Sequence, residues 1–168
     1  MALKPDRHEL LTDISFFMNE TAERGVVVVH STAGSGSAMD DGNAVVTIPT
    51  TASGTNPAGL LLNDVVNIDL TRQHLNHHQD EIQKGGKVTL LKQGWVVTNK
   101  LDDGGDAITA GASAYFASSG LLTTARGLDV DTTAEAAEVD VDYEGLSVGR
   151  FLSSKDADGY ANVYINIS

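Results

Sequence analysis

The chain has 168 residues, enough for one domain with a real core and too few for a second independent one. Its 41% apolar and 20% charged residues fit a folded protein, and a net charge of -12 excludes a nucleic-acid backbone as the main partner, because that role needs a Lys/Arg surface. The absence of cysteine excludes a disulfide framework, a thiolate nucleophile and thiolate metal centres.

Residues 1–24 open the chain as an N-terminal arm. His8 to Asn19 suits a helix by its apolar pairs and a strand by Ile14, Phe16 and Phe17, and the Phe16/Phe17 pair must pack on its own chain or on a neighbour. From residue 25 to 168 the pattern is that of a single β-rich domain. Val26 to Val29 is a β-branched run opened by Gly25 and predicts a buried strand. Ser31 to Gly42, rich in Gly and Ser, predicts a surface loop, Ala44 to Ile48 a second strand, and Leu60 to Leu62 with Val65 and Val66 more of the β-core. Asp69 to Gln83 holds Arg72, His74, His77 and His78 with few strand formers, and predicts a polar loop or short helix. Lys87 to Leu91 and Trp95 to Thr98 read as a hairpin turned at Lys92-Gln93-Gly94. Ala112 to Ala117 and Leu121 to Thr124 read as a second pair turned at Ser118-Ser119-Gly120. The acidic stretch 127–149 reads as a solvated loop, and the chain closes on two strands around Asp156-Ala157-Asp158-Gly159. Short strands without intervening helices predict a mainly β protein, a small antiparallel barrel-like or sandwich domain with long loops.

Few of these residues have the spacing that chemistry requires. His74, His77, His78 and Asp80 offer metal donors, with His74 and His78 four apart, but no Glu stands as in a H-E-x-x-H helix, and the polar-loop reading prevails. Asp156-Ala157-Asp158-Gly159 imitates the start of a calcium loop, yet no Glu closes it and a strand follows, so a hairpin turn is expected. Neither glycine-rich stretch has a phosphate-loop frame, and no serine sits in a nucleophile elbow. Trp95 lies in an apolar run and is expected in the core, with an interface anchor as the alternative. The sequence therefore predicts no catalytic residue, no metal and no cofactor.

The series Gly120-Leu121-Leu122-Thr123, Val148-Gly149-Arg150-Phe151-Leu152, Asp156-Ala157-Asp158-Gly159 and the terminal Ala161 to Ile167 strand, with Gly85-Gly86-Lys87 upstream, resembles the capsid decoration (cement) proteins of tailed bacteriophages. The likeness runs from about Gly59 to Ser168, and its motifs are turns and strands. It implies a structural, non-enzymatic protein, made in the host cytoplasm, that sits as a homotrimer on the outer surface of the head and binds the major capsid protein. No direct nucleic-acid contact and no membrane partner are expected. Phe16, Phe17, Arg72, His74, His77 and His78 are the expected contact residues, because they supply aromatic, Arg and His groups. On this reading, deleting Met1 to Glu20 weakens attachment more than the fold. The rivals are a tail-associated or receptor-binding β-module, separable by gene neighbourhood, and a His-dependent metal hydrolase, separable by metal analysis.

Overall fold

The computed structural model describes residues 2–31, 44–52, 54–62, 81–82, 84–103, 107–125, 128–130, 141–143 and 146–167. In chain order the strands are β1 (Leu3–Asp13), β2 (Phe17–Met18), β3 (Ala22–Glu23), β4 (Val27–Ser31), β5 (Val45–Thr47), β6 (Pro57–Leu61) and β7 (Glu81–Ile82). They continue with β8 (Leu90–Thr98), β9 (Ser113–Phe116), β10 (Leu122–Thr123), β11 (Leu128–Val130), β12 (Val141–Tyr143), β13 (Ser147–Phe151) and β14 (Ala161–Asn166). A 3-10 turn, Ser118–Gly120, joins β9 to β10.

The main sheet runs β10-β9-β13-β14-β8-β6-β4-β5-β2, with β1 as a further partner of β8. It is mixed, because β2 pairs parallel to β5 while the other ladders are antiparallel. Among the described residues it does not close into a barrel, so the barrel-like form of the expectation gives way to the sandwich-like one. The halves fold over one another instead: Val27, Val29, Leu60 and Leu62 share a core with Phe116, Val148, Phe151 and Val163. A second core of Phe16, Met18, Val26, Val28, Val46, Leu61 and Leu90 lies on the other side of β4. The unbroken Val26 to Val29 run is thereby explained, since alternate residues of a strand covered on both faces must all be apolar.

Several expected elements stand where the sequence put them. β4 and β5 fall on the predicted runs, β9 and β10 pair across Ser118–Gly120, and β13 pairs with β14 around the Asp-Gly turn; β6 meets its predicted run at Leu60 and Leu61 but begins earlier, at Pro57, and Val65 and Val66 lie outside the described residues. Residues 127–149, read as a loop, include the short antiparallel pair β11 and β12.

The expected hairpin at Lys92-Gln93-Gly94 is absent, and residues 90–98 form the single strand β8. Gly94 does not turn the chain; it has φ +147°, and a Cβ there would collide with the carbonyl oxygen of His8. The glycine is needed for the close approach of β1, and the residues facing the core change parity around it, from Leu91 to Val96.

Residues 1–24, read as an arm, supply β1, β2 and β3. β1 lies along the whole of β8, from Leu3 opposite Thr98 to Asp13 opposite Leu90, with register shifts on the way. Leu3 and Met18 are fully buried and Phe16 is 5% exposed. The segment expected to hook a neighbour is built into the cores of its own chain.

Candidate functional site

The functional surface follows from the period of β8 and β14. In each strand the residues between core positions point away from the shared core: Gln93, Trp95 and Val97 alternate with Val96 and Thr98, and Asn162 and Tyr164 alternate with Val163 and Ile165. The ladders bring four of the outward side chains into one row. Arg150 stands opposite Tyr164, Tyr164 opposite Trp95, and Trp95 opposite His8, so the row crosses β13, β14, β8 and β1.

The row is held in place by its own contacts. The rings of His8 and Trp95 lie 6.3 Å apart at a 35° tilt, and Gln93 Nε2 donates to the Tyr164 hydroxyl at 3.1 Å. Trp95 and Tyr164 are half-buried, and Arg150 and His8 are exposed. Trp95 belongs to neither core, which corrects the expectation that it packs inside. Alternation was the signal in the sequence, because a tryptophan flanked by Gly94 and Val96 on a period-two strand shares its face with Gln93 and Val97.

The electrostatics of this face differ from those of the chain. Of 23 carboxylates, none lies in β8, β9, β13 or β14, whereas Arg150 and Lys92 do; the acids nearest the row are Asp6, Glu9 and Asp13 of β1, at its His8 end. A second exposed feature adjoins it at the end of β1: Leu10, Leu11 and Ile14 are 58%, 53% and 55% exposed. Just beyond them Asp13 accepts from the Ser15 amide at 2.8 Å and from the Ser15 hydroxyl at 2.5 Å. These bonds, the hydroxyl's first, hold the Asp13 carboxyl below its ordinary pKa.

The other expected contact residues divide. Phe16 is buried in its own chain, with its ring 5.5 Å from that of His30, and Phe17 is half-buried in the strand beside β5. Arg72, His74, His77 and His78 lie outside the described residues. Glu20, His30, Thr47 and Pro49 are among the residues that line a shallow pocket. Its carboxylate is engaged structurally, since Glu20 Oε1 accepts from the Ile48 amide at 2.8 Å and from the Thr47 hydroxyl.

The Asp156 to Gly159 stretch is the turn that its spacing predicts. Asp156 Oδ1 accepts from the amides of Tyr160 at 2.7 Å and Asp158 at 3.0 Å, and the Gly159 amide donates to the Asp156 carbonyl at 3.0 Å. Lys4 adds an ion pair at 3.3 Å, which ties β1 to this turn. The Tyr160 amide, ahead of Lys4, lowers the Asp156 pKa. Because the folded value lies below the unfolded one, the contribution is fully present above the ordinary Asp range, near about 3.9, and is lost as pH falls through the folded value. Asp156→Asn is therefore expected to lower the neutral plateau of thermal stability toward the acid value, and so to flatten the acid limb. Melting curves from pH 2 to 7 check this, and an acid limb identical to the parent's would contradict it.

An open mixed sheet folded into a sandwich-like domain, with Arg150, Tyr164, Trp95 and His8 in one outward row, defines a protein of the mainly β class. Comparison with known families gives the particular kind. Residues 9–166 match the family model described as structural cement protein (E217 gp24/Pam3 gp6), and the chain belongs to that family. It is a structural cement protein of a phage capsid. No curated protein matches the chain.

Proposed function

We propose that the protein binds the outer surface of an icosahedral phage head as a homotrimer and stabilises contacts between neighbouring major capsid subunits. The observation that carries this reading is the outward row of the sheet, built from Arg150, Tyr164, Trp95 and His8, in a member of a cement family. Tyr, Trp and Arg are the side chains over-represented where protein surfaces meet.

A clamp needs contact with itself as well as with the shell. Leu10, Leu11 and Ile14 are large apolar groups left in water by the single chain, and burying them between copies is the natural use of such a patch. They take over the self-contact expected of Phe16, which its own core consumes. Phe17, Arg72, His74, His77 and His78 stay in the proposal as further contacts with a neighbour. Joining several weak contacts in one symmetric oligomer raises avidity without any new chemistry.

Anything that binds the intact shell better than dispersed subunits stabilises the shell by linkage. Heads assembled without the protein are therefore expected to rupture at lower temperature than decorated ones, and adding purified protein is expected to restore the difference. Release of packaged DNA on heating measures it. Equal rupture temperatures at saturating protein would contradict the cementing role.

A further inference from the structure

We infer that the Leu10 to Ile14 end of β1 in one copy seats in a recess beside Phe116 of the next, a contact that rests on the homotrimer proposed above and says how it closes. The two surfaces are apolar and belong to different parts of the chain. Leu10, Leu11 and Ile14 are each more than half exposed. The strand that carries Leu10 and Leu11 has β8 as its one ladder partner among the described residues, so its other edge is open there. An open edge and exposed leucines both invite pairing with another chain. Copies of this chain are what a free protein has at hand to cover them before it meets a head.

The recess holds about 290 Å³, with Phe116 and Ala52 buried in its lining, Ala117 and Ala125 half-buried, and Thr51 and Ser118 exposed. That volume is just under the roughly 300–1,000 Å³ of small-molecule sites. The half-buried Asp102 is the one charged group in the lining, so the recess suits apolar side chains better than a polar ligand. The recess beside Glu20 and His30 carries a carboxylate and an imidazole and suits them less. No β1 residue lines the Phe116 recess, so the chain does not fill it with its own patch. A three-fold ring needs such a pair of surfaces, because each copy offers one to the copy ahead and a different one to the copy behind. Patch against patch would close a two-fold dimer instead. Charge neither drives nor forbids the contact: Arg7 and Lys92 stand near the patch with Asp6, Glu9 and Asp13, of which Glu9 is ion-paired to Arg7 and Asp13 is bound by Ser15.

The test uses the full chain and heads assembled without it. The parent, the double variant Leu10→Ser with Leu11→Ser, Ser118→Trp and Thr51→Trp are sized by light scattering, with folding checked by melting temperature and head binding by co-sedimentation. The parent is expected to be a trimer. The double variant, and the two tryptophan variants that fill the recess, are expected to be folded monomers, with association weakened by about tenfold or more per leucine. Mixing the double variant with Ser118→Trp is expected to give one-to-one pairs and nothing larger, since one intact patch and one intact recess remain between them. Added salt is expected to tighten the parent trimer, because copies of net charge -12 repel. Weakening by salt would point to ion pairs and overturn the inference. Folded tryptophan variants that stay trimeric, or a mixture that stays monomeric, would overturn it as well. A double variant that stays trimeric yet no longer binds heads would show that the shell receives the patch, and would also overturn it. A monomeric parent that binds heads would overturn the inference and leave the cementing role standing. A parent that trimerises through these surfaces but binds no head would overturn the cementing role and leave this interface standing.

Discussion

Removing Met1 to Glu20 is expected to unfold the protein, not merely to detach it. The deleted residues include the whole of β1, which covers β8 from Thr98 to Leu90, and the buried side chains Leu3, Phe16 and Met18. Burial of each such side chain stabilises by about 1.5–3 kcal/mol, so three of them amount to a large share of the roughly 5–15 kcal/mol that holds a domain together. The ladder to β8 and the Lys4 to Asp156 ion pair are lost as well. The truncated chain should show no cooperative thermal transition and a weakened β-sheet circular dichroism signal. A truncation that melts cooperatively within a few degrees of the parent would contradict the placement of β1, and would restore the idea of a free arm.

Gly149→Ala is expected to be the most damaging single-atom addition in the closing motif. A Cβ at Gly149 would run into the carbonyl oxygen of Tyr164, and the next atoms it meets, Tyr164 C and Ile165 Cα at 2.9 and 3.1 Å, are also backbone, so no flexible side chain can yield. The ladder between β13 and β14 must open or shift, at a cost of about 3 kcal/mol by the measure of other overpacked sites. Gly111→Ala is the control. Its added Cβ has nothing within 4 Å, leaving only the backbone penalty at φ +87°, about 1–2 kcal/mol. Urea midpoints at constant slope measure both, and equal losses would show that backbone conformation, not strand contact, sets the cost.

Gly149 also shows why the family resemblance was legible without a site. The Val148-Gly149-Arg150 motif preserves a strand contact, and Asp156 to Gly159 preserves a turn closed by its own carboxylate. Such motifs specify the fold and say nothing direct about what it binds. Strands with a strong local signal were readable: the Val26 to Val29 run, the β9 and β10 pair, and β13 with β14. What was not readable depended on distant contacts. Gly94 looks like a turn residue until the carbonyl of His8 is seen beside it, and β1 has no clear period because it alternates irregularly along its register shifts. The Trp95 face falls between these cases. Its alternation and the lack of acidic residues in β8, β13 and β14 are present in the sequence, but only the pairing of β1, β8, β14 and β13 sets His8, Trp95, Tyr164 and Arg150 side by side.

The most direct test of the central claim is a difference image of the phage head, comparing particles made with and without this protein. Added density on the outer surface, bridging neighbouring major capsid subunits with the β8 and β14 face turned toward the shell, is the predicted result. No difference on the outer surface, or density confined to the tail or the interior, would contradict it.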